Sequence, residues 1–436
     1  MKKITGRAFS VLLLALMIIA GMTLYVIRYA DHSREWALAF PRANSGAGGD
    51  VTDRNGVVLA AFDATTSAYA EDRGIRMACY HVTGDYWNRS GTGVLGVFWD
   101  DLQDYSIVTG TTKNEHKSLR LNIDAELSRV AYEAIGPDRR GAVMMMNYRT
   151  GEVLVMVSAP SIDPLDSDAE IPEGAFINRC ISATYTPGSV FKLVTSAAAI
   201  EDVPNMFSRS FFCEGVYTIA GVDIKCAGEH WTQTFEQALA NSCNVAFAQI
   251  AVKVGQDSMV RHVTDYGFLD RHELDGIPTA AGNYPTEFVG DPELAWSGIG
   301  QSTDLVCPYT LLRFVAAIAN DGMLCTPHLL HSDEPPEETR LIEAETAQKL
   351  KEMMSYNVTA HYEPEENFPG ISYLCAKTGT AELGGGRTSH AWFTGFLDDP
   401  EHPYAFVVLI ENAGGGLTNA GPVANALLQA AISPED

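Results

Sequence analysis

The chain has 436 residues, 46% hydrophobic and 19% charged, which excludes both a disordered polyelectrolyte and a polytopic membrane protein and allows two folded units plus a small segment. Thirty Lys and Arg against 55 Asp and Glu give a net charge of −25, so most of the surface repels a phosphate backbone and nucleic acid is excluded as a partner.

The first thirty residues hold Lys2, Lys3, Arg7 and Arg28 and no acid. Ala8 to Ile27 is an uncharged run of twenty residues, which as a helix spans a hydrocarbon core of about 30 Å. The pattern predicts a transmembrane helix over 8–27 behind a cytoplasmic tail, 1–7. A cleaved signal peptide would need a shorter apolar stretch and a small-x-small site, and Val26 to Ala30 (VIRYA) offers none. Positive residues on the short side keep the N-terminus in the cytoplasm and place everything after Arg28 outside, so a single-pass protein of the cell membrane is expected.

Asp31 to Gly49 ends in Gly, Ser and Ala and reads as a tether. Val51 to Ala60 (VTDRNGVVLA) reads as a hairpin whose Asn55-Gly56 pair suits a type I′ turn. From 61 to about 118, Gly84, Gly91, Gly93 and Gly96 break any long periodicity, so 28–120 is read as a tether and a small β-containing module of irregular structure. A second domain, 121–436, opens with a helix: Asn122-Ile123-Asp124 precedes AELSRVAYEAIG, stopped at Gly136-Pro137. GAVMMMN and EVLVMVS flank a YRTG turn and are apolar enough for strands covered on both faces. Helical stretches follow at Phe191 to Ile200, Phe235 to Leu239, Val245 to Val254 and Tyr309 to Ala319. Three strands, Ser372 to Ala381, Ala391 to Leu397 and Tyr404 to Ile410, and a helix from Pro422 to Ile432 close the chain. Two strands, many helices, three strands and a helix describe an α+β domain, an antiparallel sheet with flanking helices and an all-helical subregion.

Ser189 and Lys192, in Tyr185-Thr186-Pro187-Gly188-Ser189-Val190-Phe191-Lys192, fall on one face of a helix's first turn. There an amine can take the serine's proton if burial holds its pKa down, and free N–H groups can stabilise an oxyanion. Ser242 and Asn244 project from Asn241-Ser242-Cys243-Asn244 between two helical stretches. Lys377, Thr378, Gly379 and Thr380 lie on the first late strand. Each motif alone has a bland reading: chance spacing, a cap between helices, a sheet lysine beside a bulge glycine. In the order S-x-x-K, S-x-N, K-T-G, with 53 and 135 residues between their first members, they form one signature.

That signature is the one borne by penicillin-recognising serine enzymes. YTPGSVFKLVTSAAAIE, ANSCNVAFAQIAVKVG, Gly300-Gln301 through CPYTLLRFVAAIANDG, AKTGTAE and HAWFTGF all resemble class B, monofunctional penicillin-binding proteins, with the short penicillin-binding protein A type the nearest in kind. The resemblance covers Leu121 to Ile432, and VTDRNGVVLA is similar to the family's N-terminal opening hairpin. It implies a penicillin-recognising transpeptidase fold and a peptidoglycan D,D-transpeptidase that cross-links stem peptides through a serine acyl-enzyme. In that chemistry Ser189 is the nucleophile and Lys192 its base, Ser242 and Lys377 relay the proton, Asn244 holds the substrate amide, Thr378 and Thr380 receive the terminal carboxylate, and Gly379 lets the substrate run alongside the strand. β-Lactams are implied as covalent inhibitors, a RodA/FtsW-type membrane polymerase as partner, and no cofactor. A D,D-carboxypeptidase or β-lactamase-like hydrolase and a β-lactam sensor are the alternatives, the sensor disfavoured by a cytoplasmic tail of only seven residues.

Glu71-Asp72-Arg73 is similar to the start of a glycosyltransferase box but lacks what should follow. Glu363 to Asn367 has the E-x-x-x-N form of a deacylating element, in an acidic loop only 14 residues before Lys377. Eight cysteines in an exported domain permit disulfides and otherwise read as buried apolar thiols. Cys213 and Cys226 flank a turn-rich segment that a bridge could close. No metal site is expected, His230 notwithstanding.

Overall fold

The computed structural model describes residues 2–39, 49–62, 67–103, 105–106, 111–112, 117–166 and 168–433. Helix α1 (Lys2–Ala39) contains an 18-residue window, Val11–Arg28, of mean hydropathy 2.3, none of it buried against protein. It is long and apolar enough to cross a membrane. The helix continues to Ala39 through the first part of the expected tether; residues 40–48 lie outside those described.

The N-terminal module pairs β1 (Gly49–Thr52) with β2 (Val58–Phe62), and β3 (Ser67–Tyr69) and β4 (Lys117–Arg120) complete a sheet of order β3-β2-β1-β4. The expected hairpin forms, but its turn is not a two-residue type I′. Thr52 pairs with Val58, the register slips between Val51 and Thr52, and of Asn55 and Gly56 only Gly56 has positive φ, +85°. The buried carboxylate of Asp53 dictates this. Its Oδ1 accepts from the amides of Asn55 (2.8 Å) and Val57 (2.7 Å), while Oδ2 accepts from the amide of Ala125 (3.1 Å), 72 residues away. The segment read as irregular contains α2 (Arg73–Thr83), capped by Asp72 on the Ile75 amide and ended by Gly84 at φ +78°. Glu71-Asp72-Arg73 is thus a helix start. Arg76 holds Asp163 with both Nε and Nη2 at 2.8 Å, tying the module to the chain beyond 121.

The larger part begins with α3 (Ala125–Ile135), capped by Asp124, then β5 (Gly141–Asn147) and β6 (Val153–Ala159). Helix α4 (Lys192–Asp202) leads into two ribbons. The outer strands β7 (Ser210–Cys213) and β10 (Trp231–Thr234) pair with each other, and between them lies the hairpin of β8 (Val216–Ile219) and β9 (Val222–Lys225). Then come α5 (Phe235–Ala240), α6 (Asn244–Val254), α7 (Pro308–Ala319) and α8 (Ala344–His361), the last not anticipated from the sequence. Strands β11 (Leu374–Ala381), β12 (His390–Leu397) and β13 (Tyr404–Ile410) and helix α9 (Gly421–Ile432) follow.

These strands form one antiparallel sheet of order β11-β12-β13-β5-β6. Alternation along them separates two cores. Val143, Met145, Phe393 and Val408 pack with Ala131 and Ile135 of α3 and Val423 and Leu427 of α9. Ala142, Met144, Trp392 and Val407 face the other way, onto α7. That second core continues into Val51, Leu59 and Phe62, so the N-terminal sheet shares it. The order leaves β11 at an edge, beside the helical subregion.

Replacing Asp53 by Ala orphans three amides at the junction of hairpin and α3, which costs about 2–4 kcal/mol. Urea unfolding of the protein without its membrane helix should show the midpoint falling at unchanged slope; a change below about 0.5 kcal/mol would contradict this role for the carboxylate.

Candidate active site

The turn that carries Ser189 is fixed from both sides. The Trp392 indole donates to the Thr186 carbonyl (3.0 Å), and the Tyr185 hydroxyl donates to Glu411 Oε1 (3.1 Å), which Arg179 also holds at 2.7 Å. Gly188 follows at φ +56°, its amide on the Gly300 carbonyl (2.8 Å). A Cβ there would sit 2.8 Å from the Thr380 carbonyl oxygen, so only glycine lets the turn lie this close to β11. One 3-10 turn, Gly188–Phe191, then runs into α4 and leaves Ser189 half-exposed above a fully buried Lys192.

Lys192 Nζ donates to Ser189 Oγ (3.0 Å), to the Ser242 carbonyl (2.6 Å) and to Asn244 Oδ1 (2.7 Å), with Ser242 Oγ at 3.3 Å. Lys377 Nζ, equally buried, donates to Ser242 Oγ (3.0 Å) and to the Thr378 carbonyl (3.0 Å). Both lysines are bonded to neutral oxygens and neither to a carboxylate. Burial therefore pushes Lys192 down to about 8, against a smaller opposing effect of Cys243 and Cys226. Lys377 is held well below the ordinary lysine value by burial first and by the charge of Lys192 second.

Ser242 reaches both amines from a strained backbone, φ +50°, which a non-glycine residue adopts at a cost of order 1–3 kcal/mol. The turn is held by the Ser242 and Cys243 amides, which donate to the Leu239 and Ala238 carbonyls, both at 3.0 Å. Asn244 is engaged at both ends, Nδ2 donating to the Lys225 carbonyl at 3.0 Å. As it stands it orients Lys192 rather than waiting for a substrate amide.

On the edge strand β11, Lys377 and Gly379 turn inward, while Thr378 is half-exposed and Thr380 exposed. Gly379 packs against the Pro187 carbonyl and Trp392, where a Cβ would lie at 3.0 Å from each. Tyr362, at the end of α8, accepts from the Thr378 amide (2.9 Å) and lies 3.3 Å from Thr378 Oγ1. Tyr362 thus holds both the backbone and the side chain of Thr378 at the strand edge. By the two-residue repeat, the Thr380 amide points off the same open edge, toward the Gly188-Ser189 turn.

The fold thus brings Ser189, Lys192, Ser242, Asn244, Lys377, Thr378, Gly379 and Thr380 together. Sequence reasoning missed Tyr362 and also Asn357, whose Nδ2 donates to the Ala376 carbonyl at 3.1 Å on the same strand. Glu363 and Glu366 are exposed, and Asn367 merely bonds back to the Tyr362 carbonyl at 2.9 Å. All eight cysteines are free, so the bridge considered between Cys213 and Cys226 is not formed.

Comparison with known proteins agrees with this geometry. The family described as the penicillin binding protein transpeptidase domain matches residues 141–429. The chain is 28% identical over 361 residues to the peptidoglycan D,D-transpeptidase PbpA of Mycolicibacterium smegmatis, covering 71% of each chain. It is 27% identical over 353 residues to stage V sporulation protein D of Bacillus subtilis, covering 74% of this chain and 53% of that one. Among solved structures, that of PBPA from Mycobacterium tuberculosis superposes with a TM-score of 0.76 at 24% identity, over 88% of this chain and 99% of that one. A ceftriaxone acyl-enzyme complex of penicillin-binding protein A from the same organism superposes at 0.74 with 24% identity, covering 88% and 98%. With the family match spanning more than half its length and the three motifs converging on one serine, the chain belongs to the penicillin-binding protein transpeptidase family.

Proposed function

We propose that the chain is a peptidoglycan D,D-transpeptidase in which Ser189 is the nucleophile, and the observation that carries the reading is Ser189 Oγ at 3.0 Å from a buried, pKa-depressed Lys192. Ser189 attacks the carbonyl of the penultimate D-alanine of a stem peptide while its proton passes to neutral Lys192 Nζ. The oxyanion forms against the amides of Ser189 and Thr380. When the tetrahedral species collapses, the terminal D-alanine leaves as an amine, and Ser242, within reach of both lysines, carries a proton toward it. The carboxylate of that D-alanine is bound by the Thr378 and Thr380 hydroxyls. An amine from a neighbouring stem then attacks the ester, Lys192 takes its proton and returns it to the departing Ser189 Oγ, and an amide cross-link replaces the Ser189 ester. A β-lactam enters by the same first step, but its ring amine cannot depart.

The exposed E-x-x-x-N segment, whose hydrogen bonds run to its own loop, supports a transferase over a hydrolase. The resemblance favours a RodA/FtsW-type polymerase as partner within the membrane. The positive charges before α1's apolar stretch support a cytoplasmic N-terminus, with 1–7 as tail, 28–120 as tether and N-terminal module and 121–436 as the exported transpeptidase domain.

Labelled penicillin should attach to the full-length protein at Ser189, and Ser189→Ala should abolish labelling while circular dichroism is unchanged; label retained in the variant would overturn the assignment. Given a D-Ala-D-Ala stem analogue and an amine acceptor, the enzyme should form the aminolysis product, whereas release of D-alanine without that product at high acceptor would make it a carboxypeptidase. Protease added outside intact protoplasts should degrade everything after Arg28; full protection would reverse the orientation.

A further inference from the structure

Behind the Ser242 loop, three cysteines and one histidine from separate segments converge. Cys213 ends β7, Cys226 follows β9, His230 precedes β10 and Cys243 caps α6, and their Sγ and ring nitrogen atoms all lie within 4.8 Å of one another. Cys226 Sγ is 3.7 Å from Cys243 Sγ and 3.5 Å from His230 Nδ1. A tetrahedral zinc with Zn–S of about 2.3 Å and Zn–N of about 2.0–2.1 Å requires ligand atoms about 3.8 Å apart for two sulfurs and about 3.6 Å for sulfur and nitrogen. A disulfide would bring two sulfurs to about 2.05 Å, whereas here four ligand atoms from separate segments converge at spacings a tetrahedral ion can bridge.

The surroundings suit thiolates. The Gly215 amide donates to Cys213 Sγ at 3.4 Å and the Ala246 amide to Cys243 Sγ at 3.3 Å, the latter from the first turn of an 11-residue helix whose N-terminus favours negative charge. The two outer loops are held together by backbone bonds, Cys226 amide to Gly215 carbonyl (2.8 Å) and His230 amide to Cys213 carbonyl (3.1 Å). Cys213 and Cys243 are buried, while Cys226 and His230 are half-exposed, leaving an entry path. The ribbons also need a fastening. Between Ser210 and Thr234 the buried apolar side chains are only Phe211, Cys213 and Ile224, a core too small to hold some 25 residues in place.

We infer that Cys213, Cys226, His230 and Cys243 form a structural zinc(II) site that staples the β7–β10 ribbons to the start of α6. Binding converts three thiols to thiolates with release of their protons, and closes a four-ligand Cys3His set with no open position, so the metal takes no part in acyl transfer. Its effect on the site is positional: Cys243 stands between Ser242 and Asn244, and Lys225, next to Cys226, supplies the carbonyl that holds Asn244. The inference stands on its own atoms and not on the reaction proposed above.

The full-length protein, purified in detergent without chelator, should carry about one zinc per chain by elemental analysis. Exchange with cobalt(II) should give tetrahedral d–d bands and a thiolate-to-metal charge-transfer band. Cys226→Ser and, because its side chain is half-exposed and the variant should fold, His230→Ala should each lower bound zinc under wild-type dialysis conditions at least about tenfold, while Cys79→Ser, far from the cluster, leaves it unchanged. Zinc content below about a tenth of an atom per chain, or a Cys226–Cys243 disulfide found by mass spectrometry in protein taken from membranes, would overturn the site. Penicillin labelling of Ser189 in the same samples separates its failure from failure of the transpeptidase reading.

Discussion

Two amines share one hydroxyl in a space with no carboxylate bonded to either. Lys192 and Lys377 approach Ser242 Oγ at 3.3 and 3.0 Å, both fully buried and both solvated only by neutral oxygens. Two ammonium ions cannot be kept there at ordinary pKa values, since burial and mutual repulsion act in the same direction. The pair therefore gives up a proton more readily than any surface lysine would, and Lys192 stands 3.0 Å from Ser189, placed to receive the serine's proton once it is neutral. The rest of the domain can be understood as the means of holding this arrangement against its own electrostatic cost.

Three supports meet at the site. The sheet presents β11 at its edge, close enough to the Gly188 turn that a Cβ on either Gly188 or Gly379 would strike the other segment. The Trp392 and Glu411 contacts fix Tyr185 and Thr186, and so set where α4 begins. The third support, the Ser242 turn, has a left-handed serine and a helix cap made by a cysteine, and on the zinc reading its rigidity comes from a metal rather than from apolar packing. A site that stores backbone strain at Ser242 needs such an external constraint, because strain relaxes wherever the surroundings permit it.

What the sequence discloses follows the range of the interactions. The strands β5, β6, β12 and β13 and the helices α3, α7 and α9 are visible because apolar periodicity and Asp or Gly caps are local signals. The catalytic motifs are visible because each is a short string with a fixed stereochemical job. The turn at Asn55-Gly56 departs from the type I′ form its residues favour because Asp53, whose partner amide belongs to Ala125, outweighs the local preference. Helix α2 was hidden among glycines, although Asp72 and Gly84 mark its ends. Tyr362 and Asn357 act on β11 from α8, and nothing in a single sequence reports a contact between those elements. The cysteines illustrate the same limit: Cys213 and Cys226 suggested a local bridge, and Cys243 was absorbed into its motif, so that only folding reveals the four-atom cluster.

The central claim is that a neutral lysine takes the serine's proton, and the pH dependence of acylation tests it most directly. With Lys192 lowered to about 8, the second-order rate constant for penicillin attachment should rise roughly tenfold per pH unit from pH 6 and level off above about 8, because only the deprotonated amine is a base. A rate constant that is flat from about pH 6 to 9, or that keeps rising to about pH 10.4 as for an unperturbed lysine, would contradict the account.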